Sequence, residues 1–461
     1  MRQFPGRNAG VAVIIAAALL LFVHFPALSE SPAPPRSGGG VEYDEWWRDF
    51  GDPVLDSLVS AGLAGNYDLA MASRRINVAR NEMRQAQSSY FPGLGLSAGW
   101  QRSRISGATA SAGGHAMTES YWHGSVSMNW EIDLFGKITS RVRRGKTLVE
   151  VSHAERESAM LSVAAEIASA YIQLKVYEGQ LRVARDHSER ELKVVHITEV
   201  RHSTGLASML DVSQAKSVYY STIAFIPMLE ASVRSTRNAL AILLGTTAEE
   251  LSAGCRLPAA SAALPESRRA VPSEIPMSLL ERRPDIVAAR LNIEAAASAL
   301  GIARKDYLPT LTLSGSIGTA AHRVGDLFSG SSFEYSVAPA LSWTIFDGLS
   351  RRYAAASARE DMEMQIESYN LALVTAVSEV DNALTRYMST LKYMDSISEV
   401  VEQSAKAEDL SIDLYKQGLT DFYNVVEAQL SHLEYQNTLI SARGSALTAL
   451  IDLYKALGGS W

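Results

Sequence analysis

One cysteine in 461 residues, Cys255, excludes any intrachain disulfide, so stability has to come from packing. Beyond the N-terminal run described below, no continuous stretch reads as long and apolar enough for a membrane-spanning helix. Proline and glycine are missing altogether from Ser350–Gln417, and Lys137–His202 holds no proline and only Gly145 and Gly179. Nothing in either run breaks a helix. A long basic block is also missing, and with a net charge of −7 the chain does not read as a nucleic-acid binder. The nine histidines are scattered without metal-ligand spacing to a cysteine or carboxylate, and they read as surface residues. No phosphate-binding loop or nucleophile elbow occurs. Neither an enzyme site, nor a metal site, nor a cofactor is indicated.

The N-terminus carries an export signal. Arg2 and Arg7 precede the apolar run Val11–Val23, and Ala27 and Ser29 stand where a signal peptidase selects small residues. The reading is a signal peptide over 1–29. No cysteine directly follows it, so acyl anchoring is not indicated. The segment 30–65 reads as a leader, rich in Ser, Pro and Gly at first, and then an equatorial segment.

The rest of the chain is written twice. "NYDLAMASRRI" at Asn66 returns as "RPDIVAARLNI" at Arg283, and "SYFPGLGLSAG" at Ser89 as "DYLPTLTLSGS" at Asp306. Trp130 corresponds to Trp343, and "GLASMLDV" at Gly205 to "GLTDFYNV" at Gly418. Each copy reads helix, β-hairpin, long helix, tight turn, helix. The first repeat spans 66–246 with its hairpin at about 92–135. A connector rich in Pro, Ala and Ser covers 247–276. The second repeat spans 277–461 with its hairpin at about 309–347. Each long helical run, about 65 residues, measures about 100 Å at 1.5 Å per residue, a length that points to a coiled-coil assembly.

The hairpins state what the helices do not. In Tyr121–Phe135, Trp122, Val126, Met128, Trp130 and Ile132 alternate with His123, Ser125, Ser127, Asn129 and Glu131. Leu94, Leu96, Ala98 and Trp100 form the matching set of the first strand, with Arg102–Ser120 reading as a Gly- and Ser-rich loop. Period-two alternation makes a strand with one apolar and one polar face. An exported chain without a membrane helix can span a bilayer only as a closed β-barrel. The bland alternative is a half-buried sheet lying on a soluble core. Four strands cannot close a barrel, so the spanning reading requires oligomerisation: two chains would give eight strands, three would give twelve.

"EWWRDFGDPVLDSLVSAGLAGNYDLAMASRRI" (Glu45–Ile76), "ERRPDI" (Glu281–Ile286), "WEIDLFGK" (Trp130–Lys137) and "LYKALGGSW" (Leu453–Trp461) resemble the outer membrane factor family, in its drug-efflux and nodulation-type branch. These are exit ducts of Gram-negative tripartite efflux pumps and type I secretion systems. The resemblance covers essentially the whole chain after the signal. It implies a mixed α/β membrane protein. That protein is a homotrimer, with a twelve-stranded β-barrel in outer membrane lipid continuous with a twelve-helix α-barrel in the periplasm. It implies a periplasmic adaptor and an inner-membrane transporter as partners, and a passive duct for small molecules. A type I channel for proteins is the alternative within the family, and a poreless periplasmic coiled-coil scaffold the alternative outside it.

The turns at Gly205 and Gly418 should form the periplasmic tip, where an adaptor would dock. By motif position the resemblance assigns the acidic rings of a gate to Asn424 and Glu427, and the constricting residue to Tyr423. Tyr415 matches a tyrosine that holds the closed state by bonding an acid of the first repeat, here Asp211. A basic holding residue of some relatives falls on Thr420, so that salt link is not expected. Three copies of Glu427 around a narrow axis would repel one another and attract cations.

Overall fold

The computed structural model describes residues 45–106, 116–253, 264–265 and 277–459. The expected signal, the start of the leader, residues 107–115 of the first hairpin loop and most of the connector, with Cys255, lie outside the described residues. Helices α1 (Pro53–Gly65) and α2 (Tyr67–Ser88) lead into strands β1 (Gly93–Ile105) and β2 (Met117–Ile132). The long helix α3 (Lys137–Ser203), α4 (Met209–Leu243) and the short α5 (Ala248–Ala253) complete the first repeat and open the connector. The second repeat follows as α6 (Pro284–Lys305), β3 (Thr310–Ala321), β4 (Phe333–Ser342), α7 (Ser350–Gln417) and α8 (Phe422–Leu457). The connector thus begins with a helical turn, started by Thr247 and Glu250, whose Oγ1 and carboxylate each accept the other's backbone N–H at 3.3 Å.

Two compact units result. One comprises 78–149 and 292–365, the other 45–77, 150–291 and 366–459 among the described residues, and α2, α3, α6 and α7 contribute to both. The first unit holds a single antiparallel sheet in the order β1-β2-β3-β4. Its register lines up one face. Leu96, Val126, Ile317 and Tyr335 stand side by side across the four strands, and the neighbouring row on the other face is Gly95, Ser127, Ser316 and Ser336. The hydroxyls of Ser97 and Ser125 meet at 2.9 Å, and those of Ser316 and Ser336 at 2.8 Å. Leu96 and Tyr335 are each 75% exposed and Ile317 is 45% exposed, so among the described residues the apolar row is largely uncovered. A sheet resting on a soluble core would bury it. Among the described residues, β1 and β4 each have a neighbour on one side only.

Strand ends differ from the sequence reading. Arg102–Ile105 pair with Met117–Ser120, so the loop expected from Arg102 to Ser120 is shorter. Ladder hydrogen bonds join backbones, and they continue after the apolar alternation has faded. The return strands stop early, at Ile132 rather than Phe135 and at Ser342 rather than near 347. Asp133 leaves the sheet to cap α3, accepting the backbone N–H groups of Ile138 and Thr139 at 2.8 Å each. Duplication reaches the side chains: Trp130 Nε1 donates to the carbonyl of Tyr90 at 3.0 Å, and Trp343 Nε1 to that of Tyr307 at 2.9 Å.

In the second unit the "EWWRDFGDP" stretch is a buried anchor. Trp46, Trp47 and Phe50 form a short helical turn, and Trp46 stacks on Tyr454 of α8 at 5.0 Å between ring centroids. The Tyr454 hydroxyl donates to Asp49 and that of Tyr171 to Asp52, both at 2.7 Å. Asp52 also caps α1 through the Val54 N–H at 2.8 Å. "ERRPDI" supplies a second clasp. The largely buried Arg283 guanidinium donates to Asp285 and Glu379 at 2.7 Å each and to the carbonyl of Ala456 at 2.8 Å, tying α6, α7 and α8 together.

Contrary to the sequence reading, two helices contain stretches long and apolar enough to cross a membrane by length and composition, in α3 and in α6. The stretch in α3 is 61% buried within the protein. The stretch in α6 is alanine-rich, and alanine counts as apolar in such a measure while being an ordinary packing residue between helices.

Candidate functional site

Two equivalent turns close the helix pairs of the second unit. α3 ends at Ser203, and Gly205 takes a positive φ of 78°. The N–H groups of Gly205 and Leu206 return to the carbonyls of His202 and Arg201 at 3.0 and 2.8 Å. α7 ends the same way: Gly418 has φ 76°, and the N–H groups of Gly418 and Leu419 return to Tyr415 and Leu414 at 2.9 Å each. Both are glycine-terminated helix stops that satisfy the last carbonyls, and they need a residue that tolerates the left-handed region. α4 then starts on Ser208, whose hydroxyl accepts the Asp211 N–H at 3.2 Å and donates to the Asp211 carboxylate at 2.6 Å.

The structure brings two of the expected gate residues together. The Tyr415 hydroxyl donates to Asp211 Oδ2 at 3.2 Å, joining the end of α7 to the start of α4. Tyr415 is buried, edge-on against Phe422 at 5.0 Å, in a small apolar cluster with Val194, Val195, Ala215 and Val425. Burial raises its phenol above the ordinary tyrosine range, and the Asp211 charge and hydrogen bond add to the rise. Tyr423, Asn424 and Glu427 lie elsewhere, exposed on the face of α8 opposite Phe422 and Val425. Tyr423 is 64% exposed. Asn424 donates from Nδ2 to Thr420 Oγ1 at 2.8 Å. Tyr423 and Glu427 are four residues apart and so share one edge of the helix.

A residue absent from the sequence reading joins the two turns. Arg201, in the last turn of α3, donates to the carbonyl of Lys416 at 2.7 Å and to that of Leu206 at 3.3 Å. Its guanidinium lies 4.8 Å from the centre of the Tyr415 ring. The only available signal was a basic residue at a helix C-terminus, where it favours the macrodipole.

The histidines correct the sequence reading more sharply. His187 and His432 are each 1% exposed, not surface residues. They sit among Glu191, Glu408 and Gln429, each 2% exposed, where α3, α7 and α8 face one another. Burial lowers His187 to about 4, and it raises Glu191 and Glu408 to about 7 each. A spacing rule along the sequence has no access to a cluster that brings α3 against the α7–α8 pair more than 200 residues later.

Comparison with known proteins bears on all of this. The family model described as outer membrane efflux protein matches residues 58–246 and 275–459. The pyoverdine export outer membrane protein OpmQ of Pseudomonas aeruginosa is 29% identical, covering 97% of this chain and 96% of its own. Nodulation protein T of Rhizobium leguminosarum bv. viciae is 27% identical over 96% of this chain and 90% of its own. The solved structure of the outer-membrane channel OprN superposes with a TM-score of 0.83 at 29% identity, covering 90% of this chain and 92% of that one. These likenesses favour neither the protein-secretion duct nor the poreless scaffold.

Proposed function

The chain belongs to the outer membrane efflux protein family, and from that membership we propose a passive, gated exit duct for small molecules, assembled from three copies. It is an outer membrane efflux channel of the nodulation-protein-T type. The carrying observation is the uncovered apolar row Leu96–Val126–Ile317–Tyr335 on a sheet whose two edge strands lack an outer neighbour. In lipid, unpaired backbone groups are not tolerated, so β1 of one subunit pairs with β4 of the next. Three subunits close twelve strands around a lumen lined by the serine-bearing face. The long helices continue this wall through the periplasm as twelve helices.

The duct does no chemistry of its own. An inner-membrane transporter supplies the driving force, and a periplasmic adaptor docks on the helix pairs near Gly205 and Gly418. The tip forms the gate. Tyr423 narrows the axis, Asn424 and Glu427 provide polar rings, and the Tyr415–Asp211 bond holds the two helix pairs of one subunit in the closed arrangement. The expected cargo is a small organic molecule, as the pyoverdine of the relative OpmQ is an exported compound by that protein's name.

Membrane fractionation followed by electrophoresis of unheated and heated samples tests the assembly. A sarkosyl-insoluble outer membrane trimer that converts to monomer on heating supports it. A soluble monomer would overturn it.

A further inference from the structure

The most concentrated chemistry in the second unit lies away from the turns. One potential ligand atom from each of His187, Glu408 and His432 lies within 4.8 Å of the others, and all three side chains are buried. His432 Nε2 stands 3.8 Å from Glu408 Oε2, and the two imidazole centroids are 5.4 Å apart. The three residues come from three helices: α3, α7 and α8.

The hydrogen bonds around them fix where the lone pairs are. Ser404 Oγ donates its single hydrogen to the carbonyl of Val401 at 2.9 Å, so toward His432 it acts as acceptor. His432 therefore donates from Nδ1 to Ser404 at 2.8 Å, and its Nε2 carries the lone pair. The Gln436 amide donates to that Nε2 lone pair at 2.8 Å, a bond that an ion would have to displace, and turns its oxygen toward His187 Nε2 at 3.1 Å. His187 then donates from Nε2, which leaves its Nδ1 as a buried lone pair with no partner. One helical turn beyond His187, Glu191 accepts from Thr222 on one oxygen at 2.9 Å, while its other oxygen is buried and unpaired. A histidine oriented through its second nitrogen by a hydroxyl is the arrangement that second-shell groups give to metal ligands.

We infer that His187, Glu408 and His432 form a site for one divalent transition-metal ion per subunit, of the zinc, copper or nickel class. Two imidazoles and a carboxylate select such an ion over magnesium or calcium, which take oxygen ligands. Three protein ligands leave a fourth position open, and the unpaired Glu191 oxygen lies one helical turn along α3 from His187. Bonds of about 2.0–2.2 Å require the three side chains to draw together by about an ångström. A bound ion would clamp α3 to α7 and α8 within a subunit, between the core around Tyr171 and the turns at Gly205 and Gly418. The alternative is a purely hydrogen-bonded polar core.

The test uses the full chain purified from outer membranes in detergent and stripped with a chelator. Equilibrium dialysis against zinc should give one tightly held ion per chain. Glu408→Gln and His432→Gln should each weaken zinc binding at least tenfold, while His322→Ala, just past the end of β3, should leave it unchanged. Cobalt added to the unsubstituted protein should give the visible absorption of a tetrahedral or five-coordinate nitrogen–oxygen site, and zinc should abolish it. That second measurement does not depend on whether a variant folds. No zinc retained by the unsubstituted chain, equal retention by Glu408→Gln and His432→Gln, or a cobalt spectrum of the hydrated ion would each overturn the assignment.

Discussion

The guanidinium of Arg201 lies over the ring of Tyr415, 4.8 Å from its centre, and donates to the carbonyl of the next residue, Lys416. One side chain of the first repeat thereby braces the final turn of α7 in the second. The same tyrosine reaches Asp211 with its hydroxyl, so the two turns and the start of α4 share a single connection.

Tyr415→Phe removes only the bond to Asp211, leaving the ring under Arg201 and against Phe422. A hydrogen bond to a charged group contributes about 1.5–3 kcal/mol, and about 1 kcal/mol where the acceptor is partly exposed as Asp211 is. If the three subunits of the proposed trimer open together, the summed loss should raise the open-to-closed ratio by about a hundredfold, read as more frequent large openings in planar bilayers. Unchanged openings would remove Tyr415 from the gate.

Glu427→Ala combined with Tyr423→Ala should enlarge single-channel conductance and reduce preference for cations. The first residue takes charge from the proposed ring, and the second takes bulk from the axis. Both are exposed in the single chain, so folding of the subunit should be unaffected. Equal conductance and selectivity would place the constriction elsewhere.

Val126 and Ser316 make opposite predictions for the sheet. Val126→Arg puts a charge on the apolar row near the middle of β2, at a cost of about 2–4 kcal/mol if that row faces lipid. Little heat-modifiable trimer should reach the outer membrane. Ser316→Lys, on the other face, should assemble normally and shift selectivity toward anions. The reverse pattern would mean that the faces are exchanged.

Arg283 should govern acid sensitivity of the second unit. Burial favours the neutral form of Asp285, but the hydrogen bonds and charge of Arg283 outweigh it and hold the carboxyl below its ordinary 3.8. The folded state then binds fewer protons than the unfolded state just below that value. Stability from this contact is fully present above about pH 3.8 and is lost as pH falls through the lowered value. Arg283→Met should cost about 1–3 kcal/mol at pH 7, because the Ala456 carbonyl loses its donor. It should also flatten the acid limb in thermal unfolding followed by helical circular dichroism. An unchanged acid limb would show that the clasp is not coupled to folding.

Much of this was legible in the chain itself. The internal duplication placed both hairpins and both long helices, because runs without proline or glycine and strict alternation are properties of neighbouring residues. Strand ends were read less well: Arg102–Ile105 pair through backbone groups that no side-chain pattern reports. Of the proposed gate, the Gly205 and Gly418 turns were readable from glycine's tolerance of positive φ, and the pairing of Asp211 with Tyr415 came from family likeness. Arg201 and the buried His187 and His432 were not legible. Their partners lie in other helices, and helical periodicity does not say which face of a long helix meets which neighbour.

Reconstitution of the purified chain in a planar lipid bilayer tests the channel most directly. Stepwise, water-filled conductance from a heat-modifiable trimer is expected, small at rest and larger in the Tyr423→Ala, Glu427→Ala variant. A correctly folded protein that leaves the bilayer insulating, or that stays a monomer outside it, would contradict the proposed duct.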